Sequence, residues 1–284
     1  MNRPLAGKTA VVTGASRGVG KGVALELGAA GATVYVTGRS TSAGPLPGTI
    51  GETADEVTAL GGTGVAVLCD HHDDSQVEAV FARVREERGS LDVLVNNVFS
   101  ASDLAAWINR PFWELPVAVW DEVVGIGARS HYVASVFAAP LLFAAGRGLI
   151  VNVSSSGAAA YQQNTVYGVG KAAVDKMTAD LALELRPHDV AVVSVWPGLV
   201  RTELLALGAR AAGDGRAVLE IPGSGLFDIG AAESPRFVGR GITALAADPA
   251  VMTYSGGVET TPDLAVRYGF TDVDGTLPGE VARG

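Results

Sequence analysis

The run KTAVVTGASRGVG, residues 8–20, changes character halfway along. Its first half is a short β-branched run, read as a strand, and its second half leads into a helical pattern. Three glycines, Gly14, Gly18 and Gly20, mark the change. Glycines there permit a tight turn and let backbone N–H groups approach a pyrophosphate at the helix N-terminus. The spacing is GxxxGxG rather than GxGxxG, and a glycine-rich turn alone needs no ligand. The strand before it and the helix after it are what point to dinucleotide binding. Ser16, Arg17 and Val19 lie inside the same turn and are candidate contacts.

The same alternation recurs outward from this stretch. Strand-like runs follow at ATVYVTG (32–38), TGVAVLCD (63–70), LDVLVNN (91–97), GLIVNVSS (148–155) and DVAVVSVWPG (189–198), with a weaker one near SGGVETT (255–261). Continuous apolar strands separated by helical patterns imply a parallel sheet covered on both faces, an α/β doubly wound fold of Rossmann type. No repeat, charge block or Ser/Gly linker divides the chain, so one domain over residues 1–284 is expected. Three long segments, 39–51, 98–116 and 203–233, follow the carboxyl ends of strands, where open α/β sheets bind ligands. The last is read as a substrate lid, and residues from about 262 to 284 as a C-terminal tail.

Composition narrows the function. The 284 residues carry a formal net charge of −9 with 21 scattered basic residues, which argues against nucleic acid or an anionic membrane as a general partner. Hydrophobic residues at 48% supply a core, and only 18% charged residues suit a surface partly buried in an oligomer. The single cysteine, Cys69, excludes an intrachain disulfide, and no His/Asp cluster at ligand spacing supports a metal site. The N-terminus lacks the apolar stretch of a signal peptide, and VFAAPLLFAAGRGLIVNV is broken by Arg147 and glycines before it could span a bilayer. A cytoplasmic protein without a membrane span is expected.

Cofactor choice is read at the end of the second strand. An acidic residue there binds a ribose 2′-hydroxyl and repels a 2′-phosphate. Gly38 occupies that place, Arg39 follows, and Arg17 lies close in the glycine turn. Two guanidiniums without a carboxylate favour NADP(H) over NAD(H), unless Arg39 merely points into solvent.

YGVGK, residues 167–171, places a phenol and an ammonium one helical turn apart on one face. A cation there favours the phenolate and lowers the tyrosine pKa. Together TGASRGVG, NN at 96–97, NVSS at 152–155, YGVGK and WPGLVRT at 196–202, in that order, resemble the short-chain dehydrogenase/reductase (SDR) family. LVNNVF, RSHYVAS, YGVGKAAVDK, VSVWPGLVRTE and DLAVRYGFTDVDG are similar to its group of the dehydrogenase/reductase member 1 type. The resemblance runs from about Leu5 to Gly275.

The resemblance implies a mostly parallel seven-stranded sheet of order 3-2-1-4-5-6-7 with helices on both faces. It implies an oxidoreductase passing hydride between a nicotinamide and a carbonyl or alcohol. Tyr167 would be its general acid, Lys171 would lower the tyrosine pKa and bind the nicotinamide ribose, and Ser155 would hold the substrate oxygen. Asp70 would contact the adenine, and Asn96 would line the adenosine ribose. Pro197, Val200 and Thr202 would reach the nicotinamide carboxamide, though packing explains an apolar Val200 equally well. Dimers or tetramers would form through the helices at 117–145 and 165–187.

Two departures from the family pattern stand out. NNVF replaces NNAG, so Phe99 stands where a glycine is usual, and its ring is a candidate wall of the substrate pocket. Gly127 stands where an asparagine is usual, the residue whose carbonyl holds a relay water beyond the lysine. Gly125 and Gly127 could keep a helix kink by flexibility, and Ser130 or His131 could supply the missing polar group. His131 sharing in proton supply stands beside His131 as a core or interface residue. His71 and His72 read as capping or solvated residues, and His188 suits a helix end.

Trp107, Phe112, Trp113 and Trp120 crowd the segment near Phe99, as an apolar substrate pocket or as a subunit interface. The expected function is an NADP(H)-dependent carbonyl reductase or alcohol dehydrogenase. A nucleotide-binding scaffold or redox sensor with little turnover is the alternative, and non-redox chemistry on a nucleotide-linked sugar ranks last.

Overall fold

The computed structural model describes residues 3–42, 44–100, 104–213, 216–221 and 225–278. Parts of the expected lid, 214–215 and 222–224, and the end of the expected tail, 279–284, lie outside the described residues. In chain order the elements begin with β1 (Thr9–Val12), α1 (Gly18–Ala29), β2 (Thr33–Gly38), α2 (Ile50–Ala59), β3 (Thr63–Leu68), α3 (Asp74–Arg88) and β4 (Val93–Asn96). Short helices α4 (Leu104–Trp107) and α5 (Ala118–Trp120) lead through wide π-type turns (Asp121–Arg129) into α6 (Ser130–Ala144). Then come β5 (Gly148–Val153), α7 (Thr165–Leu185), β6 (Val190–Trp196) and α8 (Glu203–Gly208). Three short strands follow, β7 (Arg210–Ala211), β8 (Ala217–Ile221) and β9 (Gly225–Asp228), and the chain closes with α9 (Pro235–Ala247), β10 (Val258–Thr260) and α10 (Thr261–Tyr268).

Seven strands form one parallel sheet in the order β3-β2-β1-β4-β5-β6-β10. This is the expected order, with the seventh place taken by the tenth strand of the chain. The difference arises in the 203–233 segment, where β7, β8 and β9 pair antiparallel as a small sheet of their own. The tail expected from 262 opens instead as a helix, α10, capped by Thr260 at its start and by left-handed Gly269 at its end.

Strand alternation divides the core between the two faces of the sheet. Ala10, Val12, Leu149, Val151, Val153, Val193 and Val195 point toward α1, α2 and α9. Their neighbours Val11, Tyr35, Leu94, Ile150, Val190 and Val192 point toward α3, α6 and α7. Both sides being apolar is why these strands read as unbroken hydrophobic runs. Among the described residues no helix is long and apolar enough to cross a membrane.

Helix ends carry their own signals. Thr49 and Glu52 form a reciprocal capping box on α2, with bonds of 3.1 and 2.9 Å. Asn164 caps α7 by accepting from the Tyr167 N–H at 3.0 Å, which sets the depth at which the tyrosine enters the helix. Its amide also donates to the Trp107 carbonyl at 3.0 Å, tying the segment after β4 to the start of α7.

α1 and α9 meet backbone to backbone. A Cβ at Gly22 would stand 2.2 Å from the Pro235 carbonyl carbon. Helix propensity alone favours alanine over glycine by about 1 kcal/mol, so Gly22→Ala separates the two effects. We expect sterics to win and unfolding free energy to fall by ~2 kcal/mol, read from the urea midpoint.

Candidate active site

The glycine turn delivers backbone donors to the carboxyl edge of the sheet. Gly14 (φ 64°) and Gly18 (φ 57°) adopt left-handed conformations that other residues avoid. A Cβ at Gly20 would lie 2.5 Å from both the Asn97 Nδ2 and the Gly14 carbonyl oxygen, so the cradle closes only on a bare backbone. The Gly18 N–H donates to the Glu203 Oε2 at 2.8 Å. A carboxylate thus rests on the amide that opens α1, the helix end where the dipole favours an anion.

The two asparagines of NN part company. Asn96, the last residue of β4, is fully buried, and its amide donates to Asn152 Oδ1 at 2.9 Å and to Ser135 Oγ at 3.1 Å. It faces α6 and the strand interior, not the crevice where a ribose would lie. Asn97 takes that side instead, donating to the carbonyls of Thr13 (3.0 Å) and Gly14 (3.1 Å). Period-two alternation is the reason: one residue of register exchanges the two faces.

At the end of β2, a Cβ on Gly38 would meet Ile50 Cγ2 at 3.1 Å, leaving little room for an acidic side chain. Arg17 is held by its neighbours, donating to Pro47 O at 3.0 Å, Gly48 O at 3.0 Å and Ser40 Oγ at 2.9 Å. Arg39 is 60% exposed and lies 3.8 Å from the Asp70 carboxylate. Asp70 also accepts from the His72 backbone and ring at 3.0 Å, and these hydrogen bonds outweigh its partial burial to lower its pKa. Ser16 is buried, and Val19 packs against the core. His71 is not solvated: it is buried against the Thr37 hydroxyl at 2.9 Å, and burial drives its pKa down to about 4.

After β5, alternation separates three serines. Ser154 is buried and donates to the Lys171 carbonyl at 3.3 Å. Ser155 turns the opposite way, and its Oγ accepts the Tyr167 phenol at 2.8 Å and the Gly157 N–H at 3.2 Å. A Cβ at Gly157 would approach the Tyr167 ring to 2.6 Å, so that glycine makes the seat of the ring. Lys171 stands one turn behind the tyrosine and donates to the Val153 carbonyl at 3.2 Å, its Nζ 5.9 Å from the Tyr167 ring centre. Burial raises the Tyr167 pKa, with the Ser155 hydrogen bond the opposing influence, so the phenol keeps its proton at neutral pH. Here burial prevails, and the lowering expected from the lysine is not what sets the phenol. Lys171 itself is pushed down to about 8, by burial against the nearby Asp175 charge.

The two departures from the family pattern prove to be one. The Phe99 ring lies over Gly127, where a Cβ would stand 3.3 Å from Cδ2. The same ring meets Tyr167 edge-on at 6.0 Å, and the Lys171 Nζ lies 5.1 Å from its centre. Ser130 donates its hydroxyl to Ile126 O in the π-type turns that precede α6. His131 is buried and donates from Nε2 to the Val98 carbonyl at 3.2 Å, leaving Nδ1 bare. Burial first, then the Lys171 charge, takes its pKa down to about 3, so it is a neutral ring. Phe112 and Trp113 meet edge to face at 5.2 Å and stay 63% and 72% exposed. His188 stacks on Phe143 at 3.9 Å.

On the other flank, Thr202 caps α8 and faces Gly18, whose added Cβ would lie 3.5 Å from Thr202 Cγ2. Val200 is buried and bridges to Glu233, so packing explains it. Pro197 is half-buried at the start of the same turn. Glu233, buried beneath that turn, was not among the sequence candidates. Among the described residues no group of acidic, histidine or cysteine side chains is arranged to hold a metal ion.

The family model of the short chain dehydrogenases matches residues 8–210, and the chain belongs to that family. Among curated proteins it is 45% identical to mouse dehydrogenase/reductase SDR family member 1 over 97% of this chain and 86% of that protein. The human protein of the same name is 46% identical with the same coverage. Among solved structures, a putative dehydrogenase from Xanthomonas campestris superposes with a TM-score of 0.79 at 27% identity, covering 99% of this chain and 97% of that one. A metagenomic short-chain oxidoreductase in complex with NADP gives a TM-score of 0.67 at 28% identity, over 86% of this chain and 93% of the other.

The contact between Phe99 and Gly127 is testable by a double-mutant cycle. Gly127→Asn should cost ~1–3 kcal/mol of stability in the parent and much less beside Phe99→Ala, read by denaturant unfolding. Strictly additive costs would show that the ring does not oppose a side chain at 127.

Proposed function

We propose that this chain is an NADP(H)-dependent carbonyl reductase or alcohol dehydrogenase acting on an apolar ketone, aldehyde or alcohol. The observation that carries the reading is the 2.8 Å hydrogen bond between Tyr167 and Ser155 at the crevice edge, with Lys171 one turn behind. A reduced nicotinamide, when bound, supplies hydride to the carbonyl carbon. The chain's own groups serve the oxygen. Ser155 donates a hydrogen bond to it and orients it, while Tyr167 passes its phenolic proton to the alkoxide as charge develops. A phenol held neutral by burial is a proton donor in the resting site, and the adjacent Lys171 cation favours the phenolate left behind. Lys171 would also hold the nicotinamide ribose, and Pro197–Thr202 the carboxamide. Phe99, against Tyr167, walls the apolar side of the pocket.

The cradle of Gly14, Ser16, Gly18, Val19 and Gly20 fits a pyrophosphate, since its Gly18 amide already takes a carboxylate. Asp70 would lie toward the adenine, and Asn97 rather than Asn96 toward the ribose. Gly38 against Ile50, with Arg39 and the Arg17–Ser40 pair beside it, supports a 2′-phosphate over a free 2′-hydroxyl. Exposed Tyr132 and Val136 on α6 and Leu183 on α7 support a homodimer or homotetramer through those helices. The segment at 203–233, with its own small sheet, would act as the lid.

A second reading, a nucleotide-binding sensor with little turnover, draws on the Phe99 ring seated where a polar side chain at 127 would project. NADPH and NADH oxidation against a panel of ketones, aldehydes and quinones separates the two. Turnover is expected with NADPH, and Tyr167→Phe should lower it by roughly 10²–10⁴-fold. Tight NADPH binding without turnover on any carbonyl would favour the sensor. Arg39→Ala should weaken NADPH binding about tenfold, roughly 1.4 kcal/mol, and leave NADH binding little changed. Equal weakening of both would remove the argument for the 2′-phosphate.

A further inference from the structure

The turn that leaves β6, residues 197–202, has no ladder beyond a single bridge, yet its path is closely held. Glu233 holds it. The Glu233 N–H donates to Leu199 O at 2.9 Å, and its carbonyl accepts from the Arg201 N–H at 2.8 Å. The side chain then folds back so that Oε1 accepts the Gly198 N–H at 3.0 Å. The approach is so close that a Cβ at Gly198 would stand 2.7 Å from Oε1.

This carboxyl sits in an unusual place for an anion. Glu233 is 2% exposed, and its Oε2 has no hydrogen-bond partner. Thr261 Oγ1, at the start of α10, is likewise buried and unpartnered. Its hydroxyl lies near enough to favour the anion without the geometry of a full hydrogen bond. Asp272 adds a like charge from the C-terminal segment, where it accepts from Ser234 N at 2.8 Å and from the Ser234 hydroxyl. The basic side chains of the surrounding elements are committed elsewhere. Arg201 bonds Gly230 O at 2.9 Å, and Arg267 pairs with Glu259 at 2.7 Å. Arg236 and Arg240 reach Glu26 at 2.6 and 3.7 Å. Asp263 of α10 accepts from the Thr260 hydroxyl at 2.6 Å. Burial therefore dominates and lifts Glu233 from 4.5 to about 7, against the Gly198 hydrogen bond that opposes it. A proton on Oε2 removes a second buried charge beside Asp272.

We propose that Glu233 is the positioning residue that shapes the 197–202 turn to receive the nicotinamide end of the cofactor. The cofactor half of this statement rests on the function proposed above; the brace itself does not.

Glutamine reproduces the neutral carboxyl in shape and in hydrogen bonding, and alanine removes it. Three measurements on the full chain follow. Amide exchange at Gly198 and Arg201 in protein without added nucleotide should accelerate in Glu233→Ala and stay slow in Glu233→Gln. NADPH titrated by fluorescence should bind Glu233→Gln about as tightly as the parent and Glu233→Ala several-fold more weakly.

The sign of the stability effect is fixed as well. A folded-state pKa above the unfolded one means that the buried anion costs stability above about pH 7 and nothing below 4.5. Glu233→Gln should therefore melt above the parent at alkaline pH and level with it in acid. Unchanged exchange at both amides in Glu233→Ala, or NADPH binding by Glu233→Ala as tight as the parent's, would overturn the proposal. Faster exchange in Glu233→Ala with no NADPH binding in any variant would support the brace and sink the cofactor reading.

Discussion

The crevice depends on how closely backbone approaches backbone around residues 14–20. The turn between β1 and α1 must bend twice through left-handed geometry, and Asn97 must reach under it to tie the carbonyls of Thr13 and Gly14. With side chains at Gly14 or Gly20, the turn would be pushed off β4, and the first amides of α1 would no longer face the crevice. The parallel sheet supplies the platform; the absence of side chains at three positions makes it a binding edge.

The chemistry end is governed by burial rather than by charge pairing. Tyr167 holds its proton, Lys171 is brought down to about 8, and His131 is kept neutral, all first through loss of water. Phe99 contributes to this by lying among Tyr167, Lys171 and Gly127. An aromatic ring over a bare glycine fills with apolar surface a place where the family pattern puts an amide. Lys171 and His131 then donate to backbone carbonyls, those of Val153 and Val98.

Much of this was legible in the sequence. The strands were visible because both faces of a parallel sheet are apolar. The family motif did not separate Asn96 from Asn97, because alternation at the end of β4 decides which one faces the crevice. Phe99 and Gly127 were each noticed as departures, but only the fold brings the ring onto the glycine. His71 looked solvated beside Asp70, yet the start of α3 folds it inward against Thr37. Glu233 left no signal, since an isolated acid among small residues looks like surface. The β7–β9 sheet was hidden because its strands are short and half-exposed.

The contact between Glu203 and the Gly18 amide has a consequence for how any anionic ligand meets this protein. The carboxylate is tethered to the chain through α8, so it competes at a fixed effective concentration that dilution cannot lower. A phosphate arriving at α1 would exchange one anion for another, and the affinity it displayed would be its intrinsic affinity reduced by the fraction of molecules in which Glu203 is seated. Because Glu203 begins α8, such an exchange would also release the first turn of that helix from the amide that opens α1.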